Sequence, residues 1–194
     1  SGYMYNTKAW KAGDIRATFE EIAVDNFYKV MWLSDYKNQE VLRKLLYEVD
    51  DILKENEIPY WLASGTALGA IREGDIIMED TDVDLGIDTE YKYTFYERIL
   101  PILYKKGFRL GRGSKHDNSS ITTIYKNSEY VDIDFTGPSH ICYSLEDRGG
   151  SCLPIMKVLK PLNTANIGSR KFVVPSINYI KFLYGEDWKT PKKK

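Results

Sequence analysis

A mixed α/β fold follows from three features of this chain. Apolar residues recur at helical spacing in several segments, apolar and acidic residues alternate in the middle, and Gly or Pro stands where one pattern gives way to another. The predicted order is helix, strand, helix, strand, helix, strands, helix. The acid-bearing strands are then neighbours in one short mixed sheet flanked by helices.

The elements follow in chain order. Ile15, Phe19, Ile22 and Ala23 predict a helix near residues 14–30, within an N-terminal extension over 1–33 that packs on the main domain. Val41, Leu42, Leu45, Leu46, Val49, Ile52 and Leu53 form one stripe of a helix over 34–56, with Ser34 or Asn38 as its cap. Pro59 closes the next turn. Residues 60–63 read as a short buried strand, Ser64-Gly65-Thr66 breaks it, and 67–72 form a short helix. The alternation over 82–87 is a strand signature. A helix over 91–106 is weakened by Pro101, which lacks an N–H. Strands are expected at 108–110, 120–125, 130–135 and 171–174, and loops at 111–118 and 144–151. Pro175-Ser176 opens a last helix, with Ile177, Ile180 and Leu183 inward, and Gly185 ends it. Tyr60, Trp61 and Trp188 read as core. Residues 34–190 form one domain and 191–194 a basic tail.

Composition narrows the function classes. With 194 residues the chain suits one domain. Its net charge of −1, from 27 basic and 28 acidic residues, does not fit general nucleic-acid binding. No apolar run approaches the roughly 20 residues of a membrane span, and no secretory leader pattern is present. Cys142 and Cys152 allow at most one bridge, and His116 and His140 stand alone, so no zinc pattern is available.

The acidic residues bunch between Glu73 and Asp88. Asp82 and Asp84 are two apart on a predicted strand and leave the same face, and Asp132 and Asp134 repeat the spacing. Two like charges about 4 Å apart cost on the order of 4 kcal/mol at an effective dielectric of 20, so something positive should offset them. Oxygen ligands without His or Cys favour Mg²⁺ or Mn²⁺. One such pair alone reads best as a solvent-facing strand. Two pairs flanked by apolar residues, behind a glycine turn, point to a site. In that turn, Ser64-Gly65-Thr66 precedes a helix, where backbone N–H groups receive phosphate. Gly65 permits close approach, and Ser64 or Thr66 offers a hydroxyl. Arg72 either forks onto a phosphate or pairs with Glu73 or Asp80. Lys157, Lys160 and Arg170 read as surface charge.

The run from Tyr60 through Ser64-Gly65-Thr66-Ala67-Leu68-Gly69-Ala70-Ile71-Arg72, continued to Asp80-Thr81-Asp82-Val83-Asp84-Leu85-Gly86, resembles the LicD/fukutin family. The end, Tyr179 through Tyr184-Gly185-Glu186-Asp187-Trp188, is similar to that family's closing segment, and the resemblance spans roughly residues 36–190. Met78-Glu79 stand where the family often has Pro-Trp, and Thr81 replaces a common Asp. The resemblance implies a nucleotidyltransferase-like fold and a CDP-linked alcohol donor, such as CDP-choline or CDP-ribitol. It implies a glycan hydroxyl as acceptor and release of CMP. Asp82, Asp84 and one of Asp132 and Asp134 would then hold Mg²⁺ or Mn²⁺ and carry catalysis, with Asp80 supporting them. Ser64, Gly65, Thr66 and Arg72 would bind phosphate. The compartment would be the cytoplasm for a bacterial-type protein, or the secretory lumen for a piece of a fukutin-type one. Two alternatives stay open: transfer of NMP from an NTP to a small molecule, RNA or protein with release of pyrophosphate, and an inactive nucleotide-binding scaffold.

Overall fold

A computed structural model describes residues 39–116, 121–137, 142–145, 151–154 and 158–192. The helix expected near 14–30 and the caps Ser34 and Asn38 lie outside these residues. Helix α1 (Gln39–Glu55) buries Leu42, Leu45, Leu46, Val49, Ile52 and Leu53. Val41, expected in that stripe, is 38% exposed at its edge.

Five strands form the main sheet: β1 (Trp61–Leu62), β2 (Val83–Asp88), β3 (Arg109–Arg112), β4 (Ile121–Lys126) and β5 (Glu129–Thr136). Their order is β1-β2-β5-β4-β3, with β2 and β5 parallel and the other pairs antiparallel. Side chains alternate across a strand. Val83, Leu85 and Ile87 on β2, and Val131, Ile133 and Phe135 on β5, are therefore fully buried on one face. There they join the α1 stripe and Phe95, Ile99 and Leu103 in one core. The other face is left for Asp84, Asp132 and Asp134.

Helix α2 (Ser64–Glu73) begins directly at Ser64, so Ser64-Gly65-Thr66 is its first turn and not a break before it. Gly74, with φ +70°, ends it in the left-handed conformation that glycine adopts most readily. After a 3₁₀ turn (Thr89–Tyr91), helix α3 over residues 92–105 absorbs Pro101 instead of stopping at it. A π-type segment, Phe95–Ile99, lies immediately before Leu100–Lys105. Such widening relieves the clash and the missing bond that proline imposes on an α-helix.

The second half departs further from expectation. Strands β6 (Cys142–Leu145) and β7 (Ser151–Pro154) were not anticipated, and the loop expected over 144–151 overlaps their facing ends; they pair so that Cys152 opposes Ser144 and Cys142 opposes Pro154. Strand β9 (Arg170–Val174) pairs with β8 (Asn163–Ile167), which was not anticipated. Only Ile167 of β8 is fully buried, so the segment has no apolar alternation to betray it. Helix α4 (Ile177–Tyr184) ends at Gly185 as expected, but it turns Tyr179 and Ile180 inward and leaves Ile177 42% exposed. Arg170 is no loose surface charge. It pairs with the buried Asp50 at 3.0 Å and with Asp51 at 2.8 Å, and stacks on Tyr47. Asp50 also accepts from the Tyr60 hydroxyl, so a buried carboxylate ties α1 to β1 and β9. No helix among the described residues is long and apolar enough to cross a membrane.

Candidate active site

The parallel register of β2 and β5 sets Asp84 beside Asp132, with Asp82 just before β2. Carboxylate oxygens of Asp82, Asp84 and Asp132 lie within 4.8 Å of one another. Asp134 is a full pleat repeat further along β5, opposite Gly86, and does not join them. The structure thus brings Asp132, and not Asp134, to the pair. Loss of hydration is the main force on the cluster. It pushes the Asp82 carboxyl up to about 7, helped by the charges of Asp132 and Asp80. Asp84 is held well above the usual carboxylate range, again mainly by burial, then by Asp82, Asp132 and Asp80.

Asp132 is anchored from the far side. The Thr123 hydroxyl donates to its Oδ1, and Arg112 reaches the same oxygen at 3.2 Å while its Nε donates to Thr123 Oγ1 at 2.7 Å. Sequence reasoning placed Arg112 in a flexible loop. It belongs to β3, where the pairing shifts by one residue between Leu110 and Arg112. A regular ladder would set Arg112 opposite Thr122, which faces the core. The extra residue, Gly111, moves it opposite Thr123 and onto the acid face. A bulge of this kind leaves no periodic trace in a sequence.

The first turn of α2 differs in detail from the expected phosphate cradle. Ser64, at φ +44°, donates its backbone N–H to the hydroxyl of the buried Tyr179 at 3.0 Å. Burial pushes that tyrosine up to about 12. Thr66 is fully buried, and its Oγ1 accepts the backbone N–H of Asp84 at 2.8 Å. The hydroxyl expected to meet phosphate instead fixes the strand that carries the acid. Of the three, Gly65 alone borders the open cleft, and its Cα faces the Asp80 carboxylate. Arg72 commits to Glu73 at 2.9 Å and to the Trp188 carbonyl at 3.4 Å, not to the acid cluster.

Three aromatic residues also border the acids. Trp61 lies across Gly86, where a Cβ would meet its Nε1 at 2.0 Å. Trp61 is therefore half-buried on the acid face and not in the core proper. Tyr130 feels the charge of Asp82, and burial raises it to about 12. Tyr184 is raised by burial and by the charges of Asp84, Asp80 and Asp82. Beside the cluster opens a cleft of about 840 Å³ that includes Gly65, Arg72, Asp80, Tyr184 and Trp188.

A variant separates Thr66 from any direct ligand role. Thr66→Val keeps the volume but leaves the buried Asp84 N–H without its acceptor, which should cost roughly 1–3 kcal/mol in chemical denaturation.

A model of the LicD/FKTN/FKRP nucleotidyltransferase domain matches residues 57–176. The chain belongs to this family. Among LicD/FKTN/FKRP relatives, the ribitol-5-phosphate transferase FKTN of Mus musculus is 31% identical over 161 residues, covering 78% of this chain and 34% of that protein. The human FKTN is 28% identical over 196 residues, covering 93% of this chain and 39% of that protein. The uncharacterized protein RT0683 of Rickettsia typhi is 41% identical over 69 residues, 36% of this chain and 22% of that protein. The chain thus spans well under half the length of these relatives. Among solved structures, the lincosamide antibiotic adenylyltransferase LnuA superposes with a TM-score of 0.52 at 17% identity, over 74% of this chain and 86% of that one. The protein TM1012 from Thermotoga maritima also gives 0.52 at 17% identity, over 77% and 86%. This LicD/FKTN/FKRP chain therefore has the nucleotidyltransferase fold.

Proposed function

We propose that the chain is the catalytic part of a transferase that moves a phospho-alcohol, such as phosphoribitol or phosphocholine, from a CDP-linked donor to a glycan hydroxyl and releases CMP. The three-carboxylate cluster on neighbouring parallel strands, in a member of this family, carries the reading. Its chemistry fits a hard divalent cation. All three donors are oxygens, and their mutual spacing is on the scale of roughly 4–5 Å between opposite ligands of such ions. The cluster is also electrostatically incomplete by itself, since burial and mutual repulsion hold two of its carboxyls above their ordinary range.

Asp82, Asp84 and Asp132 would hold Mg²⁺ or Mn²⁺, which when bound neutralises the diphosphate and stabilises the departing phosphate. Arg112 and Thr123 keep Asp132 oriented through its Oδ1. Thr66 fixes the backbone of Asp84. Asp80 adds negative charge beside the α2 N-terminus, where it tunes the cluster and favours the cation. Asp134, on the same face but outside the cluster, is assigned the proton of the acceptor hydroxyl, which attacks the phosphorus distal to the nucleoside.

Product analysis tests the reading. The protein is incubated with Mg²⁺ and CDP-ribitol or CDP-choline, with and without a glycan acceptor, and separately with CTP and ATP. Release of CMP coupled to phospho-alcohol on the acceptor is the expected result. Pyrophosphate from a nucleoside triphosphate, without CMP from any CDP-alcohol, would instead make the chain an NMP transferase. Absence of both products would leave a nucleotide-binding scaffold.

A further inference from the structure

Apart from Asp80, the lining of the cleft beside the cluster plays no part in the chemistry above. At about 840 Å³ the cleft lies within the range of small-molecule sites. Its apolar lining comes from two places: Leu68, Ile77 and Met78 from α2 and the segment after it, and Leu183, Tyr184 and Trp188 from α4 and the segment after it. One end of it reaches Asp80, whose charge acts on the cluster. Gly65 and Asp80 line it there, and Tyr184, also on its wall, feels the charges of Asp84, Asp80 and Asp82. A molecule whose charged end sits at the cluster therefore has this cleft as its continuation.

The cleft has an organised polar edge at Arg72 and Glu73. Arg72 directs Nε at 3.2 Å and a terminal nitrogen at 2.9 Å to the same oxygen of Glu73, Oε1, and its other terminal nitrogen to the Trp188 carbonyl at 3.4 Å. The guanidinium so locks Glu73 in place and ties the aromatic wall to α2. Both bonds to Glu73 fall on Oε1, so Oε2 is outside them, on a side chain that lines the cleft.

We propose that this cleft takes the nucleobase of the donor, an amino-bearing base packed against the Tyr184–Trp188 wall, with Glu73 accepting a hydrogen bond from its amino group. The proposal rests on the nucleotide-donor reading above. A flat π-system gains most from aromatic, thioether and aliphatic surface, which these lining residues supply. Glu79, Asp80, Thr190 and Lys192 also line the cleft, with Lys192 paired to Asp187 at 3.4 Å, and Glu73 is the lining carboxylate held by two bonds from one guanidinium, at the Arg72–Glu73 edge. An ionised carboxylate accepts and cannot donate, so an oxo group at that edge would set a lone pair against Glu73 and be rejected.

Calorimetric titration with Mg²⁺ present tests this, using CMP, UMP and inorganic pyrophosphate on wild type, Glu73→Gln and Met78→Ala. Met78 is 61% exposed, so its truncation does not threaten the fold. Wild type should prefer CMP to UMP by about tenfold or more, and Glu73→Gln, which can donate to an oxo group, should shrink that preference to roughly threefold or less. Met78→Ala should weaken CMP by roughly fivefold, a fraction of a stacking contact. Neither variant should alter pyrophosphate binding. Unchanged CMP affinity and unchanged base preference in both variants would overturn the proposal. If pyrophosphate binds wild type and CMP binds no better than pyrophosphate, the base site falls while the acid site stands. If neither binds, the donor reading falls with it.

Discussion

Asp84→Asn should reduce transfer by about 10³-fold or more, the scale of losing a principal electrostatic element of a site, and should at the same time stabilise the metal-free protein. The two effects share one cause. Asp84 sits in a cluster whose carboxyls are half-buried together, and lost hydration and like charge raise both it and Asp82. An asparagine keeps the shape, removes a charge and adds N–H donors toward Asp82 and Asp132. The neighbouring Asp82→Asn makes the pH dependence explicit. The unfolded chain releases that proton near 3.8, whereas the fold holds it until about 7. Between those values the folded state binds more protons, so the metal-free protein loses stability as pH rises from about 4 to about 7. A rise of this size corresponds to on the order of 4 kcal/mol. Melting curves in EDTA from pH 4 to 8 should slope downward for wild type and flatten for Asp82→Asn. At pH 7.5 the variant should melt several degrees higher, at roughly 2–4 °C per kcal/mol for a chain of this size. A variant that melts lower than wild type in EDTA would show that the cluster is not under repulsion.

The second large effect is expected at Gly86→Ala. The added Cβ would meet Trp61 Nε1 at 2.0 Å and Cε2 at 2.3 Å, and both residues belong to paired strands of the sheet. The clash is with a rigid ring, so the indole must leave the acid face or β1 must separate from β2. Overpacking of this severity costs about 3 kcal/mol or more. Denaturation should show that loss, and tryptophan emission should report a more exposed indole. Trp61→Ala in the same chain should recover much of it, because the two changes share one contact. Equal losses in the single and double variants would place the defect elsewhere, in the β2 backbone itself.

Much of the site was legible because its chemistry follows local rules. Asp82 and Asp84 share a face through the two-residue period of a strand, and so do Asp132 and Asp134. The helix of α1 and the Gly185 stop were legible for the same reason. What escaped depends on register between distant segments. Only the parallel pairing of β2 with β5 selects Asp132 over Asp134. Only the bulge at Gly111 delivers Arg112 to Asp132. Thr66 reads equally well as a phosphate donor or a buried link until its partner, the Asp84 amide, is known. Tyr179 caps Ser64 from 115 residues away. Strand β8 escaped for a different reason: Asn163, Thr164 and Asn166 are exposed, so polar side chains hide a backbone pairing.

The central claim is that the acid cluster binds a nucleotide-linked diphosphate through a divalent cation. The most direct measurement is the melting temperature of wild type and of the Asp82→Asn/Asp84→Asn double variant, with CDP-ribitol, CDP-choline or CTP, each with and without Mg²⁺. A ligand at 100 times its Kd stabilises by about 2.7 kcal/mol, a shift of roughly 5–10 °C here. The predicted result is a rise with one CDP-alcohol, in wild type only and with Mg²⁺ only. A rise of equal size in the double variant, or without Mg²⁺, would contradict the account.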